Sequence, residues 1–428
     1  MKMWKRLAAS ILAVGLLGTA LAGCAAPKEE KKDPAPAAGG EAKQEQKVKN
    51  FEIVFWEQEE AAEKFFDPIL AKFMEKHPNI KVTRVHYETE KLRSNFLTAV
   101  QGGQAPQVVY GPDDNVGVFA TAGVIQPLDS FFSNGFLDTI NPIALDGNRF
   151  NGKLWGMPDR IGNQLMLIYN KKLVATPPKN TDELIKFAGE FKKTNPDGYA
   201  LVFNQVEPFW AAPWLGGYGG KVFNDKNEPT LDTPAMVNTF KLMVEFKNKN
   251  VMPKEADYDA AEALFKEGKA AMIINGPWSV NGYLEKGLDI GITRIPQISG
   301  ADWPKPYTST KSYFVSKLVT DPEEKKAVAT FIEFMNSAAI QTELAKLHKQ
   351  QPSNKQAAES DVVKNDVILN QAKYQLETGT PMPIIPQMRA VWDSWKPQWQ
   401  LALAGQAKPE DAAKQAQKDA LKIIAEMK

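Results

Sequence analysis

Runs of apolar residues alternate with helix-period patterns at the start of the folded chain. The segment FEIVFW (51–56) is almost continuously apolar, which favours a buried parallel strand. Apolar residues recur at helical spacing over 65–74, and IKVTRV (80–85) returns to strand character. A helix over 90–103, which ends in two glycines, precedes a third strand, PQVVY (106–110). This alternation predicts an α/β sheet with right-handed crossovers.

Further along, the pattern changes to short strands separated by turns. NGKLWGMP (151–158) predicts a turn and a short hairpin, and LMLIYN (165–170) predicts a buried strand. A helix is predicted to begin at the capping pair Asn180-Thr181, and nearly every segment after Asp321 has helical character. Four more strands are predicted at YALVFN (199–204), KAAMIING (269–276), DIGITRIP (289–296) and KSYFVSKL (311–318). We therefore expect one α/β lobe, then a second, and a return of the chain to the first.

The first fifty residues differ from the rest. A basic start, an apolar stretch over 7–20 and small residues predict a secretory signal peptide over 1–23. Cys24, the only cysteine among 428 residues, ends the sequence LAGC, which resembles the bacterial lipobox. In such precursors this sulfur receives a diacylglycerol, so Cys24 is the predicted lipidation site; a chance cysteine in an ordinary signal peptide is the alternative. Residues 24–50, rich in Lys, Glu, Ala, Pro and Gly, predict a flexible linker.

Composition narrows the choice of function. Lys and Arg number 52 and Asp and Glu 51, which gives a net charge of +1 and argues against a nucleic-acid partner. Ten Trp and 22 Phe supply rings for a core and for a ligand cleft. The three histidines are far apart and lack metal-ligand spacing, so neither a metal site nor a cofactor is predicted.

Five segments together resemble a known family. They are GKLWGMP (152–158), LIYNKKL (167–173), FNQVEPF (203–209), FKEGKAAMIINGPW (265–278) and PIIPQMRAVW (383–392). In this order they resemble the family 1 extracellular solute-binding proteins of ABC importers, and within them the maltose/maltodextrin-binding branch. The resemblance implies a two-lobed, periplasmic-binding-protein-like α/β fold of type II, with a ligand cleft between lobes joined by hinge crossovers.

The same resemblance implies lobe boundaries. Lobe 1 is expected to comprise 51–163 plus 297–350, and lobe 2 to comprise 164–296 plus 351–428. The crossings are expected near 161–165, 295–300 and 350–352.

A sugar site needs two kinds of side chain. Aromatic rings cover the apolar faces of a sugar, and carboxylates and amides bond its hydroxyl groups. In the segment VEPF, Glu207 can accept hydroxyls, Pro208 fixes the backbone and Phe209 can stack. Positions matched to the branch complete the predicted carbohydrate-binding set, which is Gln58, Tyr110, Asp114, Asn163, Glu207, Phe209, Trp278, Trp392 and Lys396.

The chain departs from the branch at several of these positions. Gly111 stands where the branch has a tryptophan, and Tyr110 is expected to compensate or one stacking platform is missing. Asn163 stands where the branch has a glutamate, and Lys396 where it has an arginine. Trp392 begins a helical stripe with Trp395 and Trp399, a spacing more typical of core, and only the motif match selects Trp392 for the ligand. These departures leave the preferred sugar open.

The resulting expectation is a non-enzymatic, monomeric capture protein. It would bind maltose or a maltodextrin outside the cytoplasmic membrane, held there by the diacylglycerol on Cys24 on a Gram-positive-type cell, and deliver it to ABC permease subunits by hinge closure. Three alternatives remain: a binding protein for another oligosaccharide, a glycoside hydrolase with two carboxylates, and a tethered sensor or adhesion module.

Overall fold

A computed structural model describes residues 49–427 of the chain. The predicted signal peptide, Cys24 and most of the predicted linker lie outside these residues. Over the part that is described, no helix is both long and apolar enough to cross a membrane.

The described chain forms strands and helices in the following order. The strands are β1 (Phe51–Glu57), β2 (Ile80–His86), β3 (Val108–Pro112), β4 (Arg149–Phe150), β5 (Lys153–Leu154), β6 (Met157–Gly162), β7 (Met166–Asn170), β8 (Tyr199–Val202), β9 (Ala270–Asn275), β10 (Ile290–Thr293), β11 (Tyr307–Val315), β12 (Gln351–Pro352) and β13 (Thr380–Pro381). The helices are α1 (Ala62–Lys76), α2 (Thr89–Gln101), α3 (Asn115–Thr121), α4 (Asn134–Leu137), α5 (Pro142–Asp146), α6 (Thr181–Thr194), α7 (Ala212–Gly217), α8 (Pro234–Asn248), α9 (Tyr258–Lys266), α10 (Val280–Glu285), α11 (Pro322–Met335), α12 (Ala338–His348), α13 (Lys355–Ala358), α14 (Asp361–Lys364), α15 (Val367–Leu376), α16 (Gln387–Leu403) and α17 (Pro409–Glu426). Short 3-10 helices span Pro208–Trp210 and Pro277–Ser279.

The larger sheet has seven strands. Its order is β12-β6-β11-β3-β1-β2, with β13 paired to one end of β11. Strand β1 is parallel to β2 and β3, as the alternating pattern predicts, while β11 runs antiparallel to both β3 and β6. Consequently β1, β3 and β6 all point the same way, and their carboxyl ends share one edge. We call this sheet and the helices packed on it the large-sheet side.

The smaller sheet has four strands in the order β10-β7-β9-β8. Its central strand β9, AAMIIN, is buried at every residue, as expected for an apolar run covered on both faces. We call this sheet and its helices the small-sheet side. The chain passes to it between β6 and β7 and returns between β10 and β11.

Strand alternation divides the large-sheet core into two layers. Tyr110 and Tyr313 pack into the layer beneath α1 and α11, while their neighbours Val109 and Phe314 pack into the layer beneath α2 and α3. Successive side chains of a strand point to opposite faces, so a one-residue shift in register would exchange the two layers.

Several predicted features are confirmed. The hairpin β4–β5 turns at Asn151 and Gly152, both with positive φ, as a tight two-residue turn requires. Helix α6 is capped by Asn180, whose side chain accepts from the Glu183 N–H at 2.9 Å. Strand β11 differs, since it begins at Tyr307 and not at 311. Pairing with β13 and β6 extends the strand over residues 307–310, a polar stretch in which the sequence pattern predicts no strand.

The expected lobe boundaries remain a prediction. Helices α13 and α14 pack against α12, and Lys355 N–H donates to the carbonyl of Thr139 at 2.8 Å on the large-sheet side. These contacts favour a boundary after Lys364 over one at Gln350.

Candidate functional site

Aromatic side chains form a row on the small-sheet side. The ring of Phe209 lies 6.4 Å from that of Trp392 and 5.4 Å from that of Trp210, and Trp210 in turn lies 6.4 Å from Trp278. All three pairs meet edge to face. Phe209, Trp278 and Trp392, which the sequence analysis selects from three distant segments, are therefore brought together. We call Phe209, Trp210, Trp278 and Trp392 the aromatic row.

Two tyrosines extend this row at its ends. Tyr307 lies 6.2 Å from Trp392, and the indole N–H of Trp278 donates to the hydroxyl of Tyr258 at 3.1 Å. Sequence reasoning missed Trp210, Tyr258 and Tyr307. Tyr258 is the first residue of α9 and Tyr307 the first of β11, so neither belongs to a periodic stripe that could mark it.

Glu207 and Lys396 form an ion pair beside the row. Lys396 Nζ donates to Glu207 Oε1, and both side chains are about one third exposed (40% and 32%). Lys396 follows Trp392 by four residues on α16, which places both on one face of that helix. The pair thus stands next to Phe209 and Trp392, as expected for polar groups at the rim of a stacking surface.

Gln58, Asp114 and Asn163 lie at the shared edge of the larger sheet. They follow the carboxyl ends of β1, β3 and β6, where ligands bind in open α/β sheets. No donor within residues 49–427 bonds to Gln58 Oε1, Asp114 Oδ1 or Asn163 Oδ1, although all three atoms are buried. Buried acceptors are nearly always paired in native proteins, so three at one edge indicate hydrogen-bonding capacity kept for a ligand. We call these residues the polar edge.

Neighbouring residues shape this edge. Gly111 lies against it, since an added Cβ would be 3.2 Å from both Gln58 Oε1 and Asn115 Nδ2. Asp113, next to Asp114, has a different role, because its Oδ2 accepts from the backbone N–H of Thr310 at 2.7 Å and ties β3 to β11. Burial raises the pKa of Asp113 to about 8. Burial also raises the pKa of Asp114, although the nearby guanidinium of Arg93 opposes it.

Tyr110 does not belong to the site. Its ring is fully buried in the large-sheet core, 4.8 Å from Tyr313, and its hydroxyl donates to Asp159 Oδ2 at 2.7 Å. The resemblance predicts Tyr110 as a replacement for the tryptophan lacking at Gly111. This placement leaves it no free ring face, because Tyr110 is on the core-facing side of β3.

The aromatic row and the polar edge belong to the two different sides, and the sides come close at both ends of the row; we call the space between row and edge the gap. At the Trp392 end, Arg389 Nη1 donates to Glu90 Oε2 of α2 at 2.7 Å. At the Trp278 end, burial raises the pKa of Tyr258, and the nearby carboxylate of Glu60 raises it further. A cavity of about 720 Å³ opens there, lined from both sides by residues such as Glu59, Glu60, Trp278 and Asn281. We call the aromatic row, the polar edge and the Glu207–Lys396 pair the candidate site.

This arrangement suits an uncharged, hydroxyl-rich ligand. Rings on one side can cover its flat apolar faces, and buried acceptors on the other can accept hydrogen bonds from its hydroxyl groups. The charged groups are matched by partners of opposite sign, so the site has no strong preference for a charged ligand.

Comparison with known proteins identifies the family and the fold of the chain. The model of the bacterial extracellular solute-binding protein family matches residues 69–371. The maltose/maltodextrin-binding domain MalE from Bdellovibrio bacteriovorus, solved with maltotriose, is 40% identical with a TM-score of 0.83, over 87% of this chain and 100% of that one.

Two curated relatives bind different sugars. The galactooligosaccharide-binding protein of Bacillus subtilis is 25% identical over 97% of this chain and 96% of its own. A maltooligosaccharide ABC transporter solute-binding lipoprotein of Streptococcus pneumoniae strain R6 is 27% identical over 83% and 84%. The predicted mixed α/β binding-protein fold is confirmed, and the chain belongs to the bacterial extracellular solute-binding protein family, whose members bind solutes and are not enzymes.

Proposed function

We propose that the protein captures a maltodextrin of about the size of maltotriose and delivers it to an ABC permease. The observation that carries this proposal is the apposition of the aromatic row and the polar edge. The four rings of the row lie on the small-sheet side, and three buried acceptors with no donor among residues 49–427 lie on the large-sheet side. The likeness to a domain solved with maltotriose supports the same ligand class.

The residues of the candidate site have different roles in binding. Phe209, Trp278 and Trp392 stack on successive sugar rings, since their centroids follow one another along the row. Gln58, Asp114 and Asn163 accept hydrogen bonds from sugar hydroxyl groups, and Glu207 and Lys396 form hydrogen bonds with hydroxyl groups at the rim. Their bonds to sugar replace bonds to water, so most net affinity is expected from the stacked rings.

The cellular setting follows from the family and from Cys24. The family description is extracellular, and a relative named as a lipoprotein supports anchoring through a diacylglycerol on Cys24. Two acyl chains on that cysteine would hold the protein stably at a membrane. The protein would act there as a monomer, bind no nucleic acid, and present its liganded form to two permease subunits.

A galactooligosaccharide is the second candidate ligand. The relative from Bacillus subtilis named for that ligand matches nearly the whole chain. The polar edge presents the amides of Gln58 and Asn163 beside Gly111, where the maltodextrin branch has a tryptophan and a glutamate, so its hydrogen-bonding groups differ from those of that branch.

The test is calorimetric titration of the full-length protein with maltose, maltotriose, maltoheptaose and a β-linked galactotriose. Micromolar or tighter binding of maltotriose supports the proposal, and the ranking of the three glucans counts the subsites. Binding of galactotriose alone would replace the maltodextrin by the second candidate. Absence of heat with all four sugars, from a protein folded by circular dichroism, would refute both.

Variants connect the binding to the aromatic row. Trp392→Ala is expected to weaken binding of maltotriose by about 5-fold to 100-fold, because a stacked ring contributes about 1–3 kcal/mol. Trp303→Ala is the matched control, since Trp303 is also half-buried but packs on Arg294 outside the row. Equal losses in the two variants would mean that the row is not the binding surface.

A further inference from the structure

Arg93 on α2 contacts the polar edge from behind. Its Nε donates to Asn115 Oδ1 at 2.6 Å, its Nη2 to Asp114 Oδ2 at 3.2 Å, and its Nη1 to Glu90 Oε2 at 3.1 Å. All three nitrogens therefore have protein acceptors. The residue is only 6% exposed, and its guanidinium already donates to these three protein side chains.

The hydrogen bond from Arg93 fixes the orientation of the Asp114 carboxylate. Oδ2 is held by the guanidinium, and Oδ1 is the buried oxygen that no described residue bonds. A carboxylate held at one oxygen by a planar guanidinium has a fixed rotamer, so its other oxygen points in one direction. The same guanidinium fixes the amide of the adjacent Asn115.

Arg93 is itself held in place across the gap. Glu90, one turn before it on α2, accepts from Arg93 and also from Arg389 of α16 at 2.7 Å. Arg389 precedes Trp392 of the aromatic row by three residues. The chain of charges Asp114–Arg93–Glu90–Arg389 thus joins the polar edge to the helix that carries the opposing ring.

We propose that Arg93 is a positioning residue, which aims Asp114 Oδ1 and the Asn115 amide at the ligand and touches no sugar itself. This inference rests on the proposed function. It assigns a role in binding to a residue that belongs to none of the sugar-binding motifs of the sequence.

The test compares full-length wild type with Arg93→Met, Arg93→Lys, Asp114→Asn and the Arg93→Met/Asp114→Asn double variant. Arg93→Met is expected to weaken maltotriose binding by about 10-fold to 100-fold. Arg93→Lys should recover part of this loss, because an ammonium can reach one of the acceptors but not all three. In the Asp114→Asn background, Arg93→Met should weaken binding by a clearly smaller factor than in wild type, since only the positioning of Asn115 is left to lose.

Arg84→Met is the matched control. Arg84 is also a partly buried arginine of the large-sheet side, 16% exposed, and it bonds Glu57 and Asp67 without contacting the polar edge. Its loss should leave maltotriose binding within about 3-fold of wild type. Equal weakening by Arg84→Met and Arg93→Met, or a full effect of Arg93→Met in the Asp114→Asn background, would overturn the proposal.

A second readout needs no sugar. Carboxyl ¹³C NMR, with the Asp114 resonance identified by its absence in Asp114→Asn, gives the pKa of Asp114 in its setting of Arg93, Glu90, Lys311 and Arg389. That pKa is expected to rise in Arg93→Met, to rise less in Arg93→Lys and to stay unchanged in Arg84→Met. An unchanged pKa in Arg93→Met would overturn the proposal. If wild type binds no maltotriose, the maltodextrin function is refuted. The pKa measurement, which needs no sugar, then still tests whether Arg93 orients Asp114.

Discussion

Gly117→Ala tests whether the bound state needs the close approach of the two sides. Gly117 lies on α3, and an added Cβ would be 2.1 Å from the carbonyl oxygen of Ile384 and 2.9 Å from the nitrogen of Pro386. Contacts of Cβ atoms below 3.0 Å essentially do not occur, so the two segments must separate by roughly 0.9 Å. Both contacting atoms are backbone, so a change of rotamer cannot relieve the clash.

Separating these two segments would widen the gap at the candidate site. Ile384 packs against the large-sheet core beside α3, and Ile385 packs against the small-sheet core. Moving this segment away from Gly117 therefore opens the sides relative to each other. Overpacking of this kind costs about 1–3 kcal/mol, which corresponds to a loss of about 5-fold to 100-fold in affinity for a ligand held by both sides.

Two measurements check the effect. Calorimetry gives the dissociation constant for maltotriose, and small-angle scattering of the ligand-free and ligand-saturated protein gives the radius of gyration. Gly189→Ala is the control, because Gly189 is also a helical glycine but an added Cβ meets no atom of residues 49–427 within 4 Å. If Gly117→Ala binds and scatters as wild type does, the close approach at Ile384 is not part of the bound state and the reasoning is wrong.

Three further predictions concern single side chains. Tyr110→Phe should lower the free energy of unfolding in urea by about 1–3 kcal/mol, because buried Asp159 loses a donor, and should leave sugar affinity unchanged. Glu207→Gln should weaken maltotriose binding by about 5-fold or more in calorimetry, since a neutral amide accepts weaker hydrogen bonds than a carboxylate; an unchanged affinity would remove Glu207 from the site. The pKa of Asp113 is raised to about 8 in the fold, so the native state binds the extra proton between about pH 4 and 8 and stability should fall as pH rises through that window, by at most about 1.4 kcal/mol per pH unit. Asp113→Asn should remove that part of the slope in unfolding curves recorded at several pH values, and an identical slope would contradict the assignment.

Local pattern was sufficient for much of the fold. The parallel strands β1, β2 and β3, the hairpin at Asn151-Gly152 and the cap at Asn180 each depend on residues close in sequence. Strand β11 was predicted too short, because its first four residues are polar and become a strand only through pairing with β6 and β13. Such pairing joins segments more than seventy residues apart, which no local window contains.

The candidate site was only partly predictable for the same reason. Motif matches selected Phe209, Trp278 and Trp392, and the fold brings them into one row. Tyr110 was misplaced because alternation along β3 decides which face a side chain takes, and the sequence of a strand buried on both faces hides that choice. A role for Arg93 could not be predicted from the sequence, since the residue follows no strand. Its proposed role depends on contacts with Asn115 and Asp114 that form only in the folded chain.

Three consecutive residues after β1 show how closely the site and the chain crossings are connected. Gln58 belongs to the polar edge, and Glu60 lines the cavity that Trp278 lines from the small-sheet side. Glu59, between them, is 3.1 Å from Arg160 on the last strand before the chain leaves the larger sheet.

Glu59 is also 3.1 Å from Lys311 on the strand by which the chain returns. Burial would raise the pKa of Glu59, but Lys311 and Arg160 lower it below its ordinary value, so this carboxylate stays charged among the crossing strands. Under the proposed function, a ligand bound by Gln58 would act through one short loop on Glu59, which joins the strands by which the chain leaves the larger sheet and returns to it.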